Sequence, residues 1–320
     1  MSTITVGTYQ LMSSDAEGQG ANRKGTIISM KLDSSTGESC EVTQQIETAA
    51  IFDIKWSHSL VSGRKLLGAA TAAGDLAVYQ QGAGGLDLHI SAKAGSPEQP
   101  LMCLSLDWSN RLELQAAPSI AVSHNKGCLS QWSLSPTALV NTSTWKGHEH
   151  EVWCVATNPH SPSTLLSGAD DCKLKMWDLR AEPSVPSSTS SWMMGVTTIQ
   201  FSPHEPHYVA VGSYDETVTL LDSRQMRRPL ASLPVGGGVW RIKHHPHTPC
   251  LLGLACMHDG FKVANVDYAA AQLSIEHEHH DPHSSLAYGV DWCYSARADG
   301  HDILGCCSFY DHLFSLWRVG

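Results

Sequence analysis

The sequence predicts an all-β protein with the architecture of a seven-bladed β-propeller. Seven units recur along the 320 residues, and each contains short alternating runs of apolar and polar residues separated by polar turns. Helical periodicity is almost absent, and a period near 45 residues built from short strands is typical of propeller blades. The residues that end the third run of each unit lie 44 to 53 residues apart, at Met30, Tyr79, Trp132, Trp177, Leu221, Asn265 and Trp317.

The clearest unit covers residues 146–180. It contains a Gly-His pair, two apolar runs, a turn with Asp171 and a third run that ends at Trp177. One blade cannot bury both of its faces, so the blades must stack into a ring, and we predict a single domain over residues 1–320. Its repeats are expected at roughly 1–47, 48–95, 96–140, 141–185, 186–230, 231–275 and 276–320.

The two ends of the chain depart from this pattern. The runs at 4–11 and 26–33 match the second and third strands of the other units, and no run that could form an innermost strand precedes Ile4. The last unit shows three runs and then stops. We therefore predict a first blade without its innermost strand and a last blade without its outer strand. Unpaired strand edges of this kind predict a lower stability.

The composition excludes several classes of protein. Hydrophobic residues make up 42% of the chain, which is enough for a core and excludes a disordered chain. No apolar run approaches the roughly 18 residues of a membrane span. The net charge of −10 argues against binding nucleic acid through phosphate contacts. The first twenty residues do not resemble a secretory signal, and ten cysteines without a CxxC pair indicate reduced thiols. We expect a cytoplasmic protein, monomeric and without a membrane partner.

Local strings spread over nearly the whole chain resemble WD-repeat proteins, and specifically the WD-repeat diphthine methyl ester hydrolase family. Three strings are more specific than the general repeat: VGTYQL (6–11), GGGVWRIKHHP (236–246) and CSFYDHLFSLW (307–317). The resemblance implies a WD40 propeller that hydrolyses the methyl ester of diphthine methyl ester on elongation factor 2. The product, diphthine, would then enter the final amidation of diphthamide synthesis. It also implies elongation factor 2 as partner and no cofactor. An additional strand before GTYQL in the family is missing here.

The chemistry implied by the resemblance must come from a face of the propeller. The sequence has no GxSxG nucleophile elbow and no HExxH motif. In WD propellers the turn between the second and third strands lies on the upper face, and its Asp is usually structural. Asp171, His148 and Trp177 are expected to form such a structural group. The residue before that Asp then points outward, which places Asn125, Asp170, Tyr214, His258 and Tyr310 on the upper face.

The starts of the innermost strands add aromatic residues to this face, and the resemblance implies a substrate with a trimethylammonium group. Aromatic faces hold quaternary ammonium groups. We therefore predict a cage, to which Glu151 and Asp170 add negative charge. Alternatively, these rings pack the channel rim or bind a protein partner. The rings are Trp153, Tyr214, Trp240, Tyr288 and Tyr310, with Phe52 as a further candidate.

The candidate catalytic groups are His258, His312 and Asp170. Neutral histidine suits a general base near pH 7. Arg241 is a candidate donor to a carbonyl or a member of an ion pair between blades. Residues 236–238, all glycine, form either a backbone oxyanion site or a permissive loop. Histidine-dense segments alone are weak evidence for metal, and we predict no metal site. Two other hypotheses stay open: a non-catalytic WD40 scaffold that binds proteins on this face, and a reader of methylated lysine.

Overall fold

The computed structural model describes residues 3–11, 23–33, 39–96, 98–112, 117–181, 185–295 and 300–319. Seven antiparallel sheets follow one another along the chain, which confirms the predicted all-β, seven-bladed propeller. Over these ranges there is no α-helix, and the one helical element is the 3-10 turn Asn125–Gly127. None of the described segments is a helix that could cross a membrane.

The first three blades cover residues 3 to 146. The strands of the first are β1 (Thr3–Gly7), β2 (Gln10–Leu11), β3 (Arg23–Leu32) and β4 (Cys40–Ala49). Those of the second are β5 (Ile51–Trp56), β6 (Leu66–Thr71), β7 (Asp75–Gly82) and β8 (Gly85–Lys93). The third contains β9 (Cys103–Trp108), β10 (Ser119–His124), β11 (Cys128–Leu134) and β12 (Leu139–Lys146).

The fourth and fifth blades carry the most regular repeats. They consist of β13 (Val152–Thr157), β14 (Thr164–Ala169), β15 (Lys173–Asp178) and β16 (Ser188–Ser191), and of β17 (Val196–Phe201), β18 (Tyr208–Ser213), β19 (Thr217–Asp222) and β20 (Ala231–Pro234). The sixth has β21 (Arg241–His244), β22 (Leu251–Ala255), β23 (Phe261–Asp267) and β24 (Gln272–His279). The seventh has three: β25 (Ala287–Trp292), β26 (Asp302–Ser308) and β27 (Phe314–Val319).

The innermost strands line a central channel and run in the same direction. Contacts join β5 to β9, β9 to β13, β13 to β17, β17 to β21 and β21 to β25. The sheets pack face to face through buried apolar side chains, and a glycine in the second strand lets the following blade approach closely. A Cβ atom on Gly168 would lie 2.4 Å from Val196, and one on Gly212 would lie 2.6 Å from Val239.

Strand β1 occupies the position of a second strand. A Cβ atom on its Gly7 would lie 2.5 Å from Ile51 of the following blade, the same relation as for the glycines above. Within the described residues, the other edge of β1 pairs with no strand, and β27 pairs only with β26. Among the described residues the first blade therefore has no innermost strand, as predicted. We call the boundary between the first and seventh blades the seam.

A cavity of about 700 Å³ runs from the seam into the central channel. Its seam side is apolar and is lined by Ile4 and Val6 of β1, Met30 of β3, and Phe314 and Leu316 of β27. Its channel side carries polar and charged residues from the innermost strands and from the loops that follow them. The cavity therefore reaches both ends of the propeller.

Candidate functional site

A hydrogen-bonded group in the fourth blade fixes the turn that carries Asp170. His148 Nδ1 lies 3.0 Å from the Asp171 carboxylate, and His148 Nε2 lies 2.7 Å from Ser167 Oγ. Trp177 Nε1 donates to the same Ser167 Oγ at 2.8 Å. Burial lowers the pKa of His148 despite the neighbouring Asp171, so the imidazole is neutral near pH 7. Asp171, His148 and Trp177 therefore have the structural role predicted from the repeat.

The predicted aromatic residues meet at the upper end of the channel. Trp240 is the centre: its ring centroid lies 5.5 Å from Trp153, 6.0 Å from Tyr214 and 4.6 Å from Tyr288, the last pair being stacked. Trp240 is only 8% exposed, so it forms the floor of the group and not its rim.

The rings continue without a break toward the seam. Phe309 lies 4.8 Å from Tyr288, 4.9 Å from Tyr310 and 6.0 Å from Tyr9. Tyr9 in turn lies 5.3 Å from Phe52. The complete set, which we call the aromatic cluster, is Tyr9, Phe52, Trp153, Tyr214, Trp240, Tyr288, Phe309 and Tyr310. Tyr9 and Phe309 belong to it although the sequence analysis did not name them.

Shifts in the register of strand pairing orient three of these rings. The pairing of the innermost strands with their neighbours shifts register at Phe52, Trp153 and Tyr288, the second residue of each strand. A β-bulge bends the strand and redirects the side chain of the extra residue, and bulges are common beside binding sites. Because the innermost strands start at the same end of the channel, the redirected rings converge there.

Acidic groups border the aromatic cluster at Asp170. The Asp170 carboxylate approaches Gly195, where a Cβ atom would lie 2.6 Å from Oδ1, and its amide donates to the Glu151 carbonyl at 3.0 Å. Burial raises the pKa of Asp170, and the Glu151 carboxylate raises it further. Burial, with the Asp170 charge as a second cause, raises the pKa of Tyr214 to about 12. Asp170 and Tyr214 are therefore neighbours at one wall of the cluster.

Below the cluster, Arg241 forms an ion pair across the channel. Its guanidinium lies 3.6 Å from the carboxylate of Asp53, on the second blade. Asp53 is buried and accepts hydrogen bonds from Ser105 Oγ at 2.8 Å and Leu106 N at 3.2 Å. Burial opposes ionisation of Asp53, but the charges of Arg241 and Lys55 outweigh it and lower its pKa. The ion-pair alternative for Arg241 is the one found, and Asp53 is a residue that the sequence analysis missed.

The two candidate histidines lie on turns near the cluster and not within it. Over the described ranges, His258 and His312 make no hydrogen bond, ion pair or ring contact. Both are exposed, and His312 lines the cavity. The turn of His258 packs against the three glycines: a Cβ atom on Gly237 would lie 2.1 Å from the Cys256 carbonyl oxygen. These glycines are therefore required for close packing of that turn.

The thiols in and near the cavity are not activated. All ten cysteines are free. Cys307 lines the cavity, and burial raises its pKa to about 12. Burial also raises the pKa of Cys306. A thiolate nucleophile near pH 7 is thus disfavoured at this position.

Comparison with known proteins places the chain among its relatives. It is 32% identical to the diphthine methyltransferase homolog of Dictyostelium discoideum over 84% of this chain and 76% of that protein. It is 36% identical to the diphthine methyltransferase of Homo sapiens over 90% of this chain and 69% of that protein. The chain belongs to the diphthine methyltransferase family. A protein of this name in Schizosaccharomyces pombe is 30% identical over 84% of this chain.

Two further comparisons concern the fold of this diphthine methyltransferase family member. Residues 139–178 match the family model described as WD domain, G-beta repeat. A chain in the crystal structure of the mitotic checkpoint complex superimposes with a TM-score of 0.69 over 92% of this chain and 84% of that one, at 17% identity. That likeness shows the fold alone. The family name describes transfer of a methyl group, whereas the sequence strings implied ester hydrolysis.

Proposed function

We propose that this chain hydrolyses the methyl ester of diphthine methyl ester on elongation factor 2 in the cytoplasm, giving diphthine and methanol. The aromatic cluster is the observation that carries the proposal. It offers several ring faces at one end of the channel, beside the carboxylate of Asp170. The names of the relatives support diphthine as the molecule acted upon.

The trimethylammonium group of the substrate suits this cluster. A quaternary ammonium cannot donate a hydrogen bond, so ring faces and nearby carboxylates are its natural partners. Each ring contact contributes about 0.5 to 2 kcal/mol. Trp153, Tyr214 and Tyr310 supply rings, and Glu151 and Asp170 supply charge. Bound in this way, the substrate would present its ester to the groups around Trp240.

The proposed reaction is attack of a water molecule on the ester carbonyl carbon. A carbon–oxygen bond to water forms, the bond to the methoxy oxygen breaks, and the proton from water leaves with methanol. Asp170, with its raised pKa, is the best-placed proton acceptor, and His258 and His312 are the alternatives on adjoining turns. For the oxyanion, Trp240 supplies a buried indole N–H with no partner among the described atoms.

A protein-docking scaffold is the second candidate function. Tyr310 is 72% exposed on the upper face, and exposed tyrosines of this kind anchor protein interfaces. Docking elongation factor 2 without chemistry would use the same rings. The two functions differ in whether the ester survives.

The deciding experiment uses elongation factor 2 that carries the methyl ester, incubated with the purified chain in ¹⁸O-labelled water. Hydrolysis is expected to remove one CH₂ unit from the mass and to place one ¹⁸O atom in the new carboxylate. Loss of the methyl group without ¹⁸O would show methyl transfer and overturn hydrolysis. An intact ester on a factor that still binds would establish the scaffold.

Substitutions then identify the base. Asp170→Asn, His258→Ala and His312→Ala are compared with His277→Ala, an exposed histidine on β24. Loss of a general base lowers kcat by about 100-fold or more. We expect that loss for Asp170→Asn, with the other three variants close to the unmodified chain. A loss confined to one histidine variant would move the role of base to that residue.

A further inference from the structure

We propose that the lower end of the channel, opposite the aromatic cluster, binds a small molecule through a phosphate group. The residues concerned line the same cavity and are His58, Arg111, Lys243, His244 and Tyr294, which we call the basic mouth. This proposal does not rest on the proposed function, since none of these residues belongs to the aromatic cluster.

The topology brings the basic mouth together. The innermost strands run from the aromatic cluster to the lower end, and His244 is the last residue of β21. His58, Arg111 and Tyr294 lie in the loops that directly follow β5, β9 and β25. Because these strands are parallel around the channel, the loops after them converge on one opening.

Arg111 supplies a positive charge to the basic mouth. Two lysines nearby are already paired: Lys55 lies 3.3 Å from Asp107, and Lys243 lies 2.9 Å from Asp291. Arg111 has neither an ion pair nor a hydrogen bond with any residue that the structure describes. A guanidinium presents parallel N–H groups that match two oxygens of a phosphate, which a single ammonium cannot do.

His244 is an independent indication of a ligand. It is 2% exposed, and neither ring nitrogen makes a hydrogen bond of good geometry with a described atom, although the Gln200 backbone acts on its pKa as a hydrogen-bond partner. Buried polar groups nearly always have partners, so an unpaired imidazole facing a cavity indicates a missing acceptor or donor. Neutral imidazole has one N–H group and one acceptor nitrogen, so a bound phosphate can pair with the ring nitrogen that the Gln200 backbone leaves free.

The charges around the two histidines agree with an anion site. Burial, followed by the Arg111 charge, lowers the pKa of His244 to about 3. His58 is exposed at the opening, and desolvation by the surrounding loops, followed by the charges of Arg111, Lys55 and Lys243, holds its pKa well below its ordinary value. In a chain of net charge −10, the unpaired Arg111 among the described residues of this opening favours anions, although Asp107 and Asp291 line the same cavity.

Calorimetric titration of the purified chain with inorganic phosphate at low ionic strength tests the proposal. We expect saturable binding at one site, weakened by about tenfold or more in Arg111→Ala because charge-assisted hydrogen bonds are lost. His244→Phe keeps the ring volume and should weaken binding several-fold. Arg180→Ala is the matched control, since Arg180 is exposed and paired with Asp178 on the fourth blade. It should bind phosphate unchanged.

Chemical footprinting on the unmodified chain gives a second readout that does not depend on variant folding. Phenylglyoxal modifies accessible arginines, and phosphate is expected to slow the reaction of Arg111 but not that of Arg180. Equal protection by chloride at matched ionic strength would reduce the effect to screening and overturn the proposal. Absence of saturable binding, or equal affinity in Arg111→Ala, would overturn it as well.

Discussion

At the scale of single residues, Asp53 is a buried charge with four partners. Its carboxylate accepts two hydrogen bonds and faces Arg241 and Lys55. Removing one member of a buried ion pair leaves the other uncompensated, which costs about 3 kcal/mol. We therefore expect Asp53→Asn to lower the free energy of unfolding by about this amount near pH 7. Urea denaturation measures it.

The pH dependence of this loss identifies its cause. The pKa of Asp53 is lower in the folded chain than the value of about 3.9 in an unfolded one. The stabilisation is therefore complete above that pH and is lost as the pH falls through the folded value. The difference between the two proteins should shrink below about pH 4. A difference that stays constant with pH would mean that packing, and not charge, is lost. Asp75→Asn, in the exposed pair with Lys93, is the control and should cost under about 1 kcal/mol.

Tyr310 is the ring of the cluster that can be removed with the least structural damage. It is 72% exposed, and among the described aromatic rings its ring packs against Phe309. Tyr310→Ala should leave the unfolding free energy within about 0.5 kcal/mol of the unmodified chain. If the ring contacts the substrate cation, KM rises by about two- to thirtyfold, and Tyr310→Phe restores most of the loss. Steady-state kinetics on the methyl ester decides this, and unchanged KM in Tyr310→Ala would remove the residue from the site.

At the scale of the element, the third and fourth blades use the same hydrogen-bonded centre in two ways. Ser167 Oγ accepts a hydrogen bond from Trp177 Nε1 and forms a second one with His148, which precedes the fourth blade. In the third blade, Ser130 Oγ accepts a hydrogen bond from Trp132 Nε1 at 2.7 Å and forms a second one with His124 Nε2 at 2.7 Å. This histidine, however, lies in the second strand of its own blade. A serine hydroxyl between a histidine and a tryptophan is thus the common element.

Removing that hydroxyl leaves two buried polar groups unpaired. We expect Ser167→Ala and Ser130→Ala each to lower the unfolding free energy by about 2 to 4 kcal/mol, the cost of two unsatisfied groups. Ser187→Ala is a surface control and should change it little. Chemical denaturation of the three variants checks the expectation. Losses near zero for both buried serines would show that water replaces the hydroxyl.

The strands that the sequence predicted best are those with the strictest alternation. The second and third strands are packed between blades, so their apolar pattern is strong, as in β14 and β15. The sequence pattern predicts three strands in each blade and does not predict the fourth, because strands such as β16 and β20 are four residues long and partly exposed. Weak burial leaves little pattern in the sequence. The register shifts that redirect the aromatic rings also leave no sequence pattern, because they depend on pairing with a neighbouring strand.

The aromatic cluster was predicted wherever one repeat could be aligned with the next. Trp153 and Tyr288 start innermost strands, and Tyr214 lies on a repeated turn, so their positions followed from the period. Tyr9 and Phe309 reach the cluster only because the first and last blades meet, which is a property of the closed ring and not of one repeat. Asp53 was missed because its partner Arg241 lies across the channel, 188 positions further along the chain.

At the scale of the whole molecule, the two blades that meet at the seam each carry a strand with a free edge, β1 in the first blade and β27 in the seventh. The free edges of β1 and β27 pair with no described strand. Amide protons of β1 and β27 should exchange with deuterium faster than those of β14 and β15, which are paired along both edges, by about tenfold or more. Hydrogen exchange followed by peptide mass spectrometry gives both rates in one experiment. Equal protection in the four strands would show that the seam is as firmly closed as the other boundaries.

The contact between Tyr9 and Phe309 bridges this seam, with 6.0 Å between ring centroids. A ring of blades with one weakly joined boundary opens at that boundary, and the other blades keep their arrangement. In this propeller the seam is also one wall of the aromatic cluster, because Phe309 contacts Tyr288 directly. Separation of the first and seventh blades at the seam would thus set the width of the site. A bulky side chain on a protein substrate would then enter without a dedicated lid.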